Sequence, residues 1–350
     1  MLIKNEIIFI LEIIFKIMTQ YSNDEYLKVK VRPFDVINLK TVEDLLNKLK
    51  YCGFQGRNLG IALDILYEMF TNDKCLVVMS LSGAMVPAGM GKLITLLMKH
   101  KLIDVLVSTG ANLSHDLVDV FTDIGHYLGS PNVNDGDLYD RKINRIYDIF
   151  LPEANYNKAE AYLLEIIKKA FPSKIIETSP SEFLKIIGIH IQKECILSEA
   201  AKNDIPIFVP AFSDSEMALD LIKFSEKENF KFKFDIFEDV KNFAKIIKKY
   251  ELSGTFIIGG GVPRNWAQQI FPYLDNLEKL RDKGLNTGYN YSVRIHTATE
   301  LDGGLSGCTI KESESWGKYA KNSKHVSVWC EATIALPILV TGVLQKLKII

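Results

Sequence analysis

The chain has 350 residues, enough for one large domain or two ordinary ones. Hydrophobic residues make up 47% and charged residues 24%, a balance that excludes a disordered chain. Lysine and arginine total 42 against 43 acidic residues, so the basic excess of a nucleic-acid binder is missing.

In chain order, the opening segment MLIKNEIIFILEIIFKIMTQ is apolar but broken by Glu6, Glu12 and Lys16. A membrane span needs about 20 mostly apolar residues, so it is not read as one. No small-residue cleavage site follows, which argues against a secretory signal. Two readings stand: the true start is Met18, or the stretch is an amphipathic helix packing on this chain or a neighbour. Residues 1–24 are assigned to an N-terminal extension and 25–350 to one main domain.

TVEDLLNKLKYCGF has helical spacing, with Thr41 as N-cap and Glu43 in the first turn. RNLGIALDILYEMF continues it. CLVVMSL is a short apolar run with polar flanks, hence a buried strand. PAGMGKLITLLMKH opens a helix at proline. LIDVLVST is a second buried strand, and LSHDLVDVFTDIG a helix ending near Gly125. Residues 129–142 read as a polar loop, and helix dominates from there to about residue 200. Alternation then resumes through IPIFVP, MALDLIKFSE, VKNFAKIIKKY, GTFIIGGG, YSVRIHTA and HVSVWCEA, with a last helix from about 332. Continuous apolar strands alternating with helices predict a sheet covered on both faces. The fold class is α/β: a doubly wound, mostly parallel Rossmann-like sheet with a helical insertion.

Such sheets bind ligands beyond the carboxyl ends of their strands. The segments there are SLSGAMVPAG, STGANLSHD, PAFSDSE, GGGVPRN, HTATELDGGLSG and EAT, each rich in Gly, Ser, Thr or acid. Six such turns on one rim suit a large, polar, extended ligand such as a dinucleotide. IIGGGVPRN is not GxGxxG, because Arg264 stands at the third glycine's place. It reads as a phosphate loop or as a tight strand-to-helix turn. Asp302 reads as a ribose ligand or a turn aspartate. His115 and His296 read as acid–base groups or as hydrogen-bonded structural residues.

Five cysteines without a CxxC pair read as reduced cytoplasmic thiols, and six scattered histidines give no metal spacing. Lysines 241, 245, 248 and 249 lie among acids and read as a solvated helix face. The stretch ESESWGKY stands out. An amine can attack an imine or carbonyl only when uncharged, and burial against an apolar wall favours that form. Trp316 would be the wall, Gly317 would permit close approach and Lys318 would be the nucleophile. Glu312 and Glu314 would hold a cationic substrate. The alternative is a loop lysine beside a packed tryptophan.

Taken together, LSGAMVPAGMGKLITLLMKHKLIDVLVSTGANLSHDLVD, IIGGGVPRNWAQQ, TATELDGGLSG, ESWGK and EATIALPILV resemble the deoxyhypusine synthase family, which includes homospermidine synthases. The resemblance runs from about residue 25 to 345. It implies NAD-dependent aminoalkyl transfer: a polyamine such as spermidine is oxidised beside its secondary nitrogen, and the butylamine fragment passes to an enzyme lysine. From there it passes to an acceptor amine. The lysine falls on Lys318. NAD contacts carry over to Gly83, Ala84, Met85, Pro87, Thr109, Gly110, Ala111, Asp214, Thr297, Ala298, Asp302, Glu331 and Ala332. Gly303, Glu312 and Trp316 match the substrate side. The family's tetrameric assembly, with active sites at a dimer interface, is expected here too. No metal, nucleic acid or membrane partner is implied, and the setting is cytoplasmic.

Departures bear on substrate. Spermidine-using members carry two glutamates where this chain has Ser114 and His115, a histidine at Asn265 and an aspartate at Leu305. Lost acids weaken the case for spermidine, each charge-assisted bond being worth roughly 1.5–3 kcal/mol. His115 would take over proton transfer, with Asn265 on the substrate side. The acceptor is open between a translation-factor lysine and a small diamine, the second giving a homospermidine synthase. A non-catalytic NAD-binding paralogue and a plain dehydrogenase are the remaining alternatives.

Overall fold

The computed structural model describes residues 27–283 and 287–350; the expectations for residues 1–24 and for Met18 lie outside them. The described chain opens with helices α1 (Val42–Leu49) and α2 (Phe54–Phe70). Thr41 does cap α1: its hydroxyl accepts from the Asp44 N–H, and the Asp44 carboxylate accepts from the Thr41 N–H. Strand β1 (Cys75–Leu81), α3 (Gly91–Lys99), β2 (Val105–Ser108) and α4 (Gly110–Phe121) follow. A helical turn over Val86–Met90 does open with Pro87 in its first turn, and Gly89 at φ +83° kinks the chain before α3 continues from Gly91.

Between α4 and the next main-sheet strand lies the insertion. It holds β3 (Tyr127–Leu128), α5 (Asp135–Asp140), β4 (Ile143–Ile146), β5 (Ile149–Pro152), α6 (Glu153–Ala170), β6 (Ile175–Thr178), α7 (Pro180–His190) and α8 (Ile196–Lys202). The expected helical stretch is thus broken by strands, and the expected polar loop contains α5. The chain then runs through β7 (Ile207–Phe208), α9 (Glu216–Glu228), β8 (Lys231–Phe234), α10 (Ile236–Ile247), β9 (Leu252–Ile258) and α11 (Gly261–Glu278). It finishes with β10 (Tyr289–His296), α12 (Ile310–Ser315), β11 (Tyr319–Trp329) and α13 (Ala332–Lys346).

The main sheet has the order β11-β10-β9-β1-β2-β7, and every neighbouring pair is parallel. The chain winds outward from β1 through β2 to β7, returns to the other side of β1, and winds outward again from β9. Strand order therefore reverses between β1 and β9, where doubly wound folds bind nucleotides. Among the described residues, antiparallel pairing is confined to the small sheet β3-β5-β4, and β6 and β8 pair parallel at the side.

Both faces of the inner strands β10, β9, β1 and β2 are buried, which is why they read as apolar runs, while edge strand β11 is partly exposed. Along β1 the side chains alternate. Leu76 and Val78 join one core with Phe243 of α10 and Ala267, Ile270 and Leu274 of α11. Val77, Met79 and Leu81 join the other with Leu63 and Leu66 of α2, Leu97 of α3 and Leu339 of α13. Lys241 and Lys245 pair with Glu238, and Lys248 with Glu278, as a solvated face would. All five cysteines are free. Among the described residues, no helix is long and apolar enough to cross a membrane.

Candidate functional site

Parallel strands share one carboxyl edge, and a cavity of about 410 Å³ opens there. Each main-sheet strand contributes to its wall. Gly83 and Met85 follow β1, Thr109 and Gly110 follow β2, and Asp214 lies beyond β7. Gly259, Gly260 and Gly261 follow β9, His296, Thr297 and Ala298 close β10, and Glu331 and Ala332 follow β11. Ala84, Pro87 and Ala111 belong to the same turns but do not line the cavity. Asp302 does not reach it either: exposed, it accepts from the Gly304 N–H at 2.7 Å, the bond of a turn aspartate. Gly303 shares that exposed turn, at φ +68°.

Two helices begin at the cavity without a side-chain cap. Neither Thr109 before α4 nor Gly260 before α11 makes a capping bond. Their first-turn N–H groups lack partners within the helix and face the positive end of the dipole, which suits an anion. Glycine is needed for this approach. Gly259 and Gly261 have φ of +81° and +62°. A Cβ on Gly110 would come 2.5 Å from Ser215 Cβ. Uncapped donors, glycine walls and Asp214 together fit a dinucleotide: diphosphate at the helix starts, hydroxyls at the carboxylate.

Behind the cavity lie two arginines, Arg264 and Arg294, each 1% exposed. Both grip the loop between β10 and α12. Arg264 donates to the Cys308 and Leu305 carbonyls at 2.6 and 3.2 Å. Arg294 donates to the Gly259 and Cys308 carbonyls at 3.0 and 2.9 Å, and also to the Ser306 carbonyl. Among the described residues every partner of these guanidinium groups is a backbone carbonyl, and Arg264 Nε has none. Burial, with Arg264 beside it, pulls Arg294 down to about 10. The same two charges add to burial in pulling His296, which is on the cavity wall, down to about 4. Its Nδ1 is buried without a partner.

Lys318 is 6% exposed, and its Nζ donates to Asn265 Oδ1 at 2.8 Å. Helix α11 thus carries, on adjacent residues, the arginine that holds the loop and the amide that holds the lysine. Burial holds the Lys318 amine below its ordinary value. Cys308 opposes burial, Arg264 adds to it by a smaller amount than Cys308 opposes it, and Glu312 opposes it least. The expected tryptophan wall is absent from the chain's own fold: Trp316 is 62% exposed. The reason is Gly317, whose φ of +70° turns the chain between an exposed residue and a buried one. Its role is the turn rather than close approach, since a Cβ there would meet only Thr287 Oγ1 at 4.0 Å. Glu312, at the start of α12, is exposed.

His115 points away from this arrangement. It lies inside α4, 8% exposed and off the cavity wall. Its Nδ1 is 2.9 Å from His126 Nε2, and His126 Nδ1 is 2.6 Å from Asp119 Oδ1. Tyr156 Oη stands 3.2 Å from His115 Nε2. Burial, then the neighbouring His126, pulls His115 down to about 4. Ser114 is also occupied, accepting from the Met217 N–H at 3.1 Å. Sequence reasoning passed over Arg294, His126 and Tyr156. The signal available for Arg294 was a charged residue inside the apolar run YSVRIHTA.

The sequence profile of the deoxyhypusine synthase family matches residues 44–343. "Probable deoxyhypusine synthase 2" of Archaeoglobus fulgidus is 39% identical over 295 residues, covering 83% of this chain and 94% of that protein. "Probable deoxyhypusine synthase 2" of Methanosarcina acetivorans is 36% identical over 322 residues, covering 90% and 89%. "Deoxyhypusine synthase-like protein" of Chlorobaculum parvum is 32% identical over 312 residues, covering 87% and 86%. "Crystal Structure of a putative deoxyhypusine synthase from Entamoeba histolytica" superposes with a TM-score of 0.60 at 19% identity, covering 89% of this chain and 96% of that one, and shares the fold.

Proposed function

The chain belongs to the deoxyhypusine synthase family of transferases, and from that premise we propose that it is an NAD-dependent aminoalkyl transferase with Lys318 as the covalent carrier. The observation that carries the reading is the Lys318 amine: buried, held on an uncharged acceptor and below its ordinary value. Iminium exchange needs such an amine, and a dehydrogenase has no use for it.

NAD, when bound, supplies a hydride acceptor that returns the hydride at the end, so the net change is group transfer. Gly110, Gly259 and Gly261 would receive the diphosphate, and Asp214 or Glu331 the ribose hydroxyls. The Lys318 amine adds to the carbon of the oxidised donor, the diamine leaves, and a butylamine imine remains on the lysine. An acceptor amine then adds to that carbon and releases Lys318. Asn265 orients the lysine's nitrogen throughout.

A polyamine such as spermidine is the donor in this reading. For the acceptor, a translation-factor lysine is favoured by the relatives' names. The uncharged character of Ser114, Asn265 and Leu305 favours a small diamine. A second copy of the chain closing the mouth is supported by exposed Leu301 and Trp316 on the segments flanking the site. The test is a product assay with NAD and spermidine, with and without putrescine or a translation-factor precursor. A new amine or a modified lysine without net NADH is expected; stoichiometric NADH with no transferred group would overturn the reading.

A further inference from the structure

The environment of Lys318 contains an imbalance that the transfer chemistry can use. Arg264 and Arg294 are both buried, and neither meets a carboxylate among the described residues. A buried charge without a counter-charge costs free energy and is retained only where the surroundings hold it. Carbonyls of the 305–308 loop do that here. They solvate the guanidinium groups by hydrogen bonds without supplying a counter-charge, and Glu300 acts on Arg294 only from beyond contact.

That charge acts on the lysine through space and is tied to it through shared neighbours. Arg264 and Asn265 are consecutive on α11; one binds the Cys308 carbonyl and the other the Lys318 amine. The Lys318 N–H in turn donates to the Ser313 carbonyl at 3.2 Å, and Ser313 Oγ lies 3.5 Å from Cys308 Sγ. Loop, α11 and the lysine therefore form one connected unit. The charged and titratable groups facing Lys318 from its neighbours are Arg264 on α11, Cys308 on the loop and Glu312 on α12. Glu312 is exposed, so water screens it, while Cys308 opposes Arg264 and is common to the wild type and to every Arg264 variant.

We propose that Arg264 is a positioning residue for the Lys318 nucleophile: its uncompensated guanidinium, fixed by the Cys308 and Leu305 carbonyls, disfavours a second positive charge at the lysine and keeps the amine free to attack. Burial does most of what the wall expected of Trp316 would do, and the Arg264 charge adds to it. As the lysine attacks an electrophilic carbon, positive charge builds on its nitrogen while the bond forms, and transfer of the nitrogen's proton to the departing amine or to water restores neutrality. This inference rests on Lys318 being the covalent carrier.

The test is reductive alkylation of the full chain with butanal and cyanoborohydride across pH 6–10, followed by peptide mass mapping. The Lys318 amine attacks the aldehyde, water leaves, and hydride from cyanoborohydride fixes the imine as a secondary amine. Exposed Lys321 is the internal reference. Wild type is expected to reach half-maximal Lys318 labelling at lower pH than Lys321. Arg264→Gln should raise the Lys318 midpoint by about one pH unit or more, a roughly tenfold or larger loss of labelling rate at pH 7. Arg264→Lys, which keeps the charge and loses the fork, should leave the midpoint near wild type. Arg264→Met replaces the glutamine variant if that one does not fold. Equal shifts in the neutral and lysine variants, or no shift in either, overturn the inference. If wild-type Lys318 labels no faster than Lys321, the proposed function fails with it. Fast labelling that is indifferent to Arg264 overturns the inference alone.

Discussion

His115 provides a test in which the structural and catalytic readings give opposite results. It is buried in α4 between His126 and Tyr156 and is pulled down to about 4 from an ordinary value of 6.5. Below pH 6.5 the unfolded chain takes up a proton at this residue that the folded chain refuses until about pH 4. The stabilising contribution is therefore complete above 6.5 and is lost as pH falls toward 4. The gap corresponds to about 3 kcal/mol, uncertain by about 1.4 kcal/mol. His115→Gln removes the titration and keeps a polar side chain. Urea unfolding of both proteins at pH 7.5 and pH 4.5 should show the variant less stable at pH 7.5, through lost contacts. The difference should move in the variant's favour by about 2–3 kcal/mol at pH 4.5. The pH profile of transfer should keep its shape in the variant. A stability difference that does not change with pH would refute the burial argument, and an altered transfer profile would restore His115 to the chemistry.

Lys318→Ala is expected to abolish transfer while leaving donor-dependent NADH formation, read by absorbance and product mass; full transfer would exclude a lysine carrier. Asn265→Ala strips the acceptor from Lys318 Nζ and should lower kcat/KM by about tenfold, since such a bond is worth roughly 1–2 kcal/mol. Unchanged steady-state kinetics would refute that role. Gly110→Ala drives a Cβ to 2.5 Å from Ser215 Cβ, so unfolding should show a loss of about 1–3 kcal/mol. NAD titration of the same variant should show weaker binding, and wild-type values in both assays would show that the close approach is dispensable.

Five of the six main-sheet strands were legible because they are buried and so read as apolar runs; edge strand β11 is exposed at Lys321, Asn322, Lys324 and His325 and showed only in its last part, HVSVW. The insertion was less so. INRI, IFLP and IIET are short and partly exposed, and their alternation is too brief to separate from helix. The rim glycines could be located from strand ends alone, since a parallel sheet puts all those ends on one edge. Chain neighbours were a poorer guide to spatial neighbours. Trp316 and Lys318 are two residues apart, yet one is 62% and the other 6% exposed, because a left-handed glycine intervenes. Residue type left Asp302 open between a ligand and a turn former, and its bond to Gly304 is that of a turn aspartate. His115 was assigned by its place in a motif, and the partners that draw it inward, His126 and Tyr156, lie 11 and 41 residues further along.

The measurement that bears most directly on the central claim is covalent trapping with the natural reactants. The protein is incubated with NAD and isotopically labelled spermidine, then quenched with cyanoborohydride and mapped by peptide mass. A labelled four-carbon amine on Lys318, formed only when NAD and spermidine are both present, is the predicted result. NADH accumulating in proportion to spermidine, with Lys318 unmodified, would contradict it.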